Sequence, residues 1–315
     1  MKIVFMGTPD FAVPCLESLI LAGHNIQAVF CQPDRPKGRG HKLTPPPVKQ
    51  TALMHGIPVF QPEKLKNNTD MFSVLEKIMP DCIIVVAYGK LLPKEILELP
   101  RLGCVNVHAS LLPKYRGSAP IQWAVINGEI ETGVTTMLLD EGMDTGDILL
   151  MRKCPLPGNM TAGELFDILS PLGAELLLET IEGLGRGSIT PKKQEKTEAT
   201  YAPMLDKSLS AVDWNKPAQD IHNLIRGLNP WPAAVTFAGN KKIKLFTSQV
   251  QDRCTAPPGT VLEGKSLIVA CGDQRKLELL EVQLDGSRRM TSEEMLRGHR
   301  IAPGTLLSAV PDTEE

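Results

Sequence analysis

The chain has 315 residues, 42% of them hydrophobic, and a formal net charge of −2. That suffices for a substantial core in two domains and excludes the uniform basic excess of a general RNA binder. The apolar start at residues 3–6 meets Pro9 and Asp10 at once, offering neither signal peptide nor membrane span; seven cysteines with no C-x-x-C pair read as reduced thiols of a cytoplasmic protein.

In chain order, short β-branched runs alternate with helix-period stretches. Residues 3–6, 26–31, 82–87, 103–107 and 134–139 are predicted strands, and residues 11–21 and 165–184 carry apolar positions at helical spacing. The alternation predicts an α/β domain with a doubly wound, mostly parallel, Rossmann-like sheet. After the first strand the chain reads Gly7-Thr8-Pro9-Asp10 rather than G-x-G-x-x-G. Pro9 supplies no backbone N–H and Asp10 repels phosphate, which argues against a dinucleotide. Residues 32–47 set Arg35, Lys37, Arg39, His41 and Lys42 among glycines and prolines. So many breakers predict an irregular, mobile cationic loop, which on residue grounds serves equally as solvated surface or as a binding arm.

The chemistry concentrates between residues 103 and 147. In a strand, Asn106 and His108 point to one face while Val105 and Val107 face the other layer. Pro113 and the cluster Tyr115-Arg116-Gly117-Ser118 end that strand abruptly, leaving the pair at its carboxyl end, where open α/β sheets place ligands. An Asn amide donates to a developing oxyanion, and a His beside it donates or relays a proton if an acid such as Asp144 sets its charge state. Asp140, Glu141, Asp144 and Asp147 do not have EF-hand spacing and no second His lies near, so no metal is expected. Nothing around Cys104 marks an activated thiolate.

Residues 188–199 are polar and read as exposed linker. The division predicted is a catalytic domain at 1–188, a linker at 189–207 and a C-terminal domain at 208–315. In the last, a helix at 217–226 and short strands at 234–237, 243–246, 260–262, 267–270 and 277–282 suggest a small antiparallel β-barrel. Residues 214–300 hold 13 Lys and Arg against 9 Asp and Glu, whereas residues 1–189 hold 17 against 20. Lys241, Lys242 and Lys244 form the densest cluster and Lys207 precedes it; each is a candidate phosphate contact or plain solvated surface. Trp231, between Pro230 and Pro232, reads as a packed anchor.

The run Asn106-Val107-His108-Ala109-Ser110-Leu111-Leu112-Pro113 with Asp144-Thr145-Gly146-Asp147 downstream resembles the formyltransferases that use 10-formyltetrahydrofolate. Gly7-Thr8-Pro9-Asp10-Phe11-Ala12, residues 32–40, Val86-Ala87-Tyr88-Gly89 and Asn229-Pro230-Trp231-Pro232 extend the likeness over almost the whole length. It is nearest to members that act on methionyl-tRNA. The resemblance implies 10-formyltetrahydrofolate as co-substrate and initiator methionyl-tRNA as partner. It also implies catalysis by Asn106, His108 and Asp144 through direct amine attack and a tetrahedral intermediate. Folate contacts are implied at Ser110, Leu111, Leu112 and Pro113 and at a pterin wall of Val86, Tyr88, Gly89 and Leu92, although packing is the default role of Leu111 and Leu112. Arg35, Lys37, Arg39 and Lys42 would reach the tRNA acceptor end, and the C-terminal barrel would be OB-like and hold RNA. The expected protein is a monomer without a metal or membrane anchor. Two other readings stay open: formylation of an amino sugar nucleotide, and a non-catalytic RNA- or folate-binding module.

Overall fold

A computed structural model of the chain describes residues 1–37, 42–299 and 301–312. It contains two compact units. The first comprises Met1–Pro120, Glu131–Pro155 and Phe166–Ala202; the second comprises Ile121–Ile130, Leu156–Leu165 and Pro203–Glu315.

The first unit contains β1 (Lys2–Gly7), β2 (Asn25–Phe30), β3 (Arg35–Lys37), β4 (Lys42–Thr44), β5 (Val59–Phe60), β6 (Cys82–Val86), β7 (Cys104–His108), β8 (Arg116–Gly117), β9 (Glu131–Leu138), β10 (Ile148–Pro155) and β11 (Tyr201–Ala202). Seven of these form one sheet in the order β10, β9, β7, β6, β1, β2, β5. β5, β2, β1, β6 and β7 run parallel, and β9 is antiparallel to its two neighbours. The mostly parallel, doubly wound sheet expected from the sequence is therefore present. From β1 the chain builds outward to β2 and β5, then returns to place β6 and β7 on the other side of β1, so the topological switch lies between β1 and β6.

Every residue of β6 and β7 is buried, as a sheet covered on both faces requires. On one face, Val4, Met6, Phe30, Ile83, Val85 and Tyr88 pack with Leu75 and Ile96 in one cluster. The opposite face takes a helix, α1 (Ala162–Arg186), where Ser170 Oγ donates to the Phe11 carbonyl at 3.0 Å. A β-carbon at Gly173 would stand 3.0 Å from Val107 Cγ1, so Val107 is pressed under this helix and Asn106 and His108 look the other way. α1 opens on a capping box in which Thr161 N donates to Glu164 Oε2 and Glu164 N to Thr161 Oγ1.

β3 and β4 correct one expectation. Residues read as too rich in breakers for regular structure form a two-stranded antiparallel ladder, with Arg35 opposite Thr44 and Pro36 opposite Leu43. A two-stranded ribbon consists of edges, so the N–H that Pro36 lacks is not needed.

In the second unit, β12 (Ala234–Ala238), β13 (Lys241–Arg253), β14 (Val261–Leu262), β15 (Leu267–Ala270), β16 (Arg275–Leu284), β17 (Met290–Thr291) and β18 (Leu307–Ser308) form an antiparallel sheet ordered β14, β15, β16, β13, β12, β18, with β17 on β16. The bridge between Thr260 and Leu306 and the bond from Leu307 N to the Gly259 carbonyl bring the two ends together, giving a nearly closed barrel. Register shifts along β13 and β16 supply the bending that closure needs.

Candidate active site

β7 delivers Asn106 and His108 to the carboxyl end of the sheet, and the turn after it is braced from β9. Thr135, opposite His108 in the ladder, accepts from Leu112 N at 3.2 Å and donates to the Ser110 carbonyl at 2.6 Å. Ser110 Oγ closes the turn onto the Lys114 carbonyl at 2.7 Å. Tyr115 then adopts a left-handed φ of 59°, its N–H held by Thr200 Oγ1 at 2.8 Å.

That conformation aims the Tyr115 carbonyl at His108 Nε2, 2.9 Å away. A carbonyl only accepts, so Nε2 carries a proton and Nδ1 is the edge turned to Asp144, at 3.7 Å. Asn106 Nδ2 donates to the same carboxylate oxygen at 3.4 Å, and the Gly117 N–H holds the other oxygen at 2.9 Å. Gly117 has φ +115°, and a β-carbon there would lie 2.7 Å from the Ala202 carbonyl oxygen; only glycine brings this N–H to Asp144 without strain.

Asp144 is itself left-handed, with φ 53°, on a turn fixed by Asp140, whose Oδ1 accepts from Gly142 N at 3.0 Å and Thr145 Oγ1 at 2.6 Å. Gly146 passes so close to β9 that a β-carbon would fall 1.8 Å from the Leu138 carbonyl oxygen. Gln194 locks the turn from outside: Nε2 donates to the Asp144 and Gly146 carbonyls at 2.9 and 2.7 Å, while Oε1 accepts from Arg116 Nε and Nη2 at 3.0 and 2.7 Å. Gln194 lies in residues 188–199, the stretch read from sequence as exposed linker, and these residues fall within the first unit. Asn106 and His108 are 8% and 5% exposed, so their polar edges meet in a nearly dry site where electrostatic interactions are strong.

Cys104 shares their side of β7 but lies at the buried end, its Sγ facing the Ile96 carbonyl at 3.6 Å. Burial pushes its thiol up to about 12, which keeps it protonated and packed rather than nucleophilic. Among the described residues no group of three or more His, Cys, Asp and Glu side chains converges.

The remaining sequence-selected residues divide by exposure. Ser110, Leu112, Val86, Tyr88 and Leu92 are buried, whereas Leu111 and Pro113 are half-exposed and Gly89 is exposed. Tyr88 packs its ring in the core and offers only backbone: its carbonyl accepts from Thr8 Oγ1 at 3.2 Å and Gln32 Nε2 at 2.9 Å. Arg35 and Lys207 are exposed, as is Lys241, while Lys242 and Lys244 are half-buried along β13. Lys37 and Lys42 lie in the β3/β4 ladder, and Arg39 falls outside the described residues. Trp231 departs from expectation, with 61% of its surface exposed. Asn229 anchors that turn instead, through Nδ2 to the Phe246 carbonyl and its own carbonyl to Gly163 N. Sequence reasoning missed Gln194, Thr135 and Thr200; a glutamine in a polar stretch and threonines in strand or turn carry no local signature. The exposed, left-handed Ala87 (φ 46°) after β6 was equally silent.

Residues 1–181 match the formyl transferase family and residues 204–300 match the formyl transferase C-terminal domain. The chain is 52% identical over 313 residues to the methionyl-tRNA formyltransferase of Acidobacterium capsulatum, covering 98% of this chain and 100% of the relative. It is 52% identical over 309 residues to that of Caldanaerobacter subterraneus subsp. tengcongensis, again covering 98% and 100%. The fold is shared with an N-formyltransferase from Helicobacter canadensis in complex with folinic acid and dTDP-3-aminofucose, at TM-score 0.68 and 21% identity over 89% of this chain and 98% of that one. It is also shared with HypX from Aquifex aeolicus in complex with tetrahydrofolic acid, at TM-score 0.64 and 19% identity over 94% of this chain and 47% of the other.

Proposed function

The chain belongs to the formyl transferase family, and from that premise we infer that it is a methionyl-tRNA formyltransferase, moving the formyl group of 10-formyltetrahydrofolate to the α-amino group of initiator methionyl-tRNA. Its half-identical relatives over nearly the full length carry that name; the sugar-modifying neighbour lends only its fold. The observation that most supports the reading is the convergence of Asn106 and His108 on Asp144, held by the Gly117 N–H.

The amine lone pair attacks the formyl carbon, a C–N bond forms and the carbonyl π electrons move onto oxygen. One Asn106 N–H leans on Asp144, and the second is available for that oxyanion. His108, tied through Nε2 to Tyr115, presents Nδ1, which donates to the oxyanion when it carries the second proton. Asp144 stabilises that cationic ring and takes the ammonium proton of the attacking amine. Collapse restores the carbonyl, breaks the bond to folate N10 and returns a proton to N10, leaving formylmethionyl-tRNA and tetrahydrofolate. Leu111, Pro113 and Gly89 are the accessible members of the folate segments, with Ser110, Leu112, Val86, Tyr88 and Leu92 shaping the wall behind them. We assign tRNA contacts to Arg35, Lys37, Arg39 and Lys42 and to Lys207, Lys241, Lys242 and Lys244, and place the protein in the cytoplasm. Among the described residues no helix is long and apolar enough to cross a membrane. The test is formyl transfer from 10-formyltetrahydrofolate to initiator methionyl-tRNA beside elongator methionyl-tRNA and an amino sugar nucleotide. Product on the initiator is expected; product on the sugar alone would overturn the acceptor.

A further inference from the structure

Three lysines gather around the segment that follows β6. Leu65 is buried in one cluster with Tyr88 and Leu92, while its chain neighbours Lys64 and Lys66 are both exposed. The stretch after β5 therefore sets two ammonium groups beside residues 88–92, on backbones at most about 7 Å apart. The third is Lys90, half-buried and directly after Gly89. Its Nζ donates to the Pro62 carbonyl, which ties the loop after β6 to the stretch after β5. Among the described residues none of the three belongs to an ion pair.

Surface lysines ordinarily sit among acids, whereas here cations face cations. Burial foremost holds the Lys90 ammonium below the ordinary lysine value; Glu63 opposes the shift and the Arg35 charge adds to it. Positive groups held this close are relieved when a polyanion arrives. A lysine is a point charge on a flexible stem, suited to single carboxylates strung along a flexible chain.

Residues 86–92 are the wall assigned to the pterin, so the polyanion nearest at hand is the folate itself. Its p-aminobenzoyl-glutamate end is extended by γ-linked glutamates, each adding one α-carboxylate. One such unit advances about 6 Å when extended, close to the largest spacing between Lys64 and Lys66. With N10 at Asn106, the next strand is β6, about 4.8 Å away. The p-aminobenzoyl group is longer than that interval and carries the tail across it. A free anion gains little from exposed ammonium groups, but a tail tethered to a bound pterin is held at high effective concentration, so weak pairs accumulate. We propose that Lys64, Lys66 and Lys90 bind the poly-γ-glutamate tail of the folate co-substrate, so that the enzyme prefers polyglutamyl to monoglutamyl 10-formyltetrahydrofolate. The proposal rests on the formyl-transfer reading and extends its co-substrate site.

The probes are monoglutamyl and pentaglutamyl 10-formyltetrahydrofolate, each as donor to methionyl-tRNA. In wild type the pentaglutamate should have a KM about tenfold lower, the worth of three exposed ion pairs together, and the advantage should shrink at high salt. The double variant Lys64→Gln/Lys66→Gln removes two charges at exposed positions. It should cut the preference to about threefold or less, with kcat and the monoglutamate KM unchanged. Lys77→Gln, in the last turn of the helix that leads into β6, should keep the wild-type preference. Equal KM values for the two donors in wild type, or a preference that the double variant leaves intact, overturns the proposal. A raised KM for methionyl-tRNA with the donor preference untouched overturns it too, and gives the lysines to RNA phosphates. If wild type forms no formylmethionyl-tRNA, the parent reading has failed; calorimetric titration of monoglutamyl and pentaglutamyl tetrahydrofolate into wild type and the double variant then reads the lysines by themselves, and equal affinities refute their role.

Discussion

Asn106→Ala tests the oxyanion assignment most cleanly, because the structural cost of removing this amide is small. The bond removed is a long one, 3.4 Å to Asp144, and that carboxylate keeps the Gly117 N–H at 2.9 Å. Stability should therefore fall by only about 1 kcal/mol. A preorganised oxyanion donor in a dry site is worth about 3–4 kcal/mol to the transition state, so kcat should drop about 100- to 1000-fold with KM for both substrates nearly unchanged. Asn106→Asp keeps the shape and reverses the chemistry. It sets two carboxylates about 3.4 Å apart, a repulsion of about 5 kcal/mol at an effective dielectric constant of about 20. This variant should be less stable than Asn106→Ala at neutral pH, and the difference should shrink in acid, where a shared proton removes the repulsion. The assay is single-turnover transfer to methionyl-tRNA at saturating folate, with thermal unfolding of the three proteins across pH. A kcat for Asn106→Ala within about threefold of wild type would refute the oxyanion role.

Gly117→Ala should destabilise by about 1–3 kcal/mol and lower kcat, since its β-carbon meets the Ala202 carbonyl and its φ is left-handed; unchanged melting and turnover would contradict this. His222 is buried in the second unit, with Nδ1 at Ser248 Oγ and Nε2 donating to the Gly158 carbonyl, and burial lowers its pKa below the ordinary value of 6.5. The folded state prefers the neutral ring, so its contribution is present above about pH 6.5 and is lost as pH falls through the lower folded value. His222→Gln should flatten the acid limb of stability, and an unchanged limb in denaturant titrations would refute it. Replacing Lys241, Lys242 and Lys244 together with Ala should weaken tRNA binding and reduce its salt slope by up to about one for each phosphate that is no longer neutralised, leaving folate KM intact; an unaltered slope would return the cluster to plain surface.

That Asn106 and His108 lie side by side was legible because strand alternation is a strict rule. Positions 106 and 108 must share a face, and a proline five residues on ends the strand. The parallel sheet was legible for a similar reason, since buried parallel strands are near-continuous apolar runs. Elements lacking such a run were lost. β5 is two residues long, and the charged pair Arg152 and Lys153 hides the edge strand β10. The β3/β4 ladder was masked because proline propensity describes central strands and fails for a two-stranded ribbon. Trp231 was misread because packing was inferred from its proline neighbours, whereas the anchor is the amide of Asn229.

Gln194 illustrates a deeper limit, and it leads to the question of what keeps the site rigid. Tyr115 and Asp144 both hold left-handed backbones, conformations that cost about 1–3 kcal/mol each for residues with a β-carbon and persist only where surrounding bonds over-determine them. Those bonds come from far along the chain: Thr200 takes the Tyr115 N–H, and Gln194 takes the Asp144 carbonyl while accepting from Arg116. No window of sequence around either strained residue contains its support. The two supports lie in a single polar stretch of the first unit, so one prediction discriminates support from mere surface. Gln194→Leu, which keeps the volume and removes the amide's donor and acceptor atoms from the network, should lower kcat far more than it lowers folate or tRNA affinity, because Asp144 would lose its fixed position while the binding surfaces stay. Gln194→Glu keeps the acceptor for Arg116 but turns a carboxylate toward the Asp144 and Gly146 carbonyls, and should recover only part of the loss. Equal effects of the two substitutions, or an effect confined to KM, would mean that the acidic turn holds its shape without this residue.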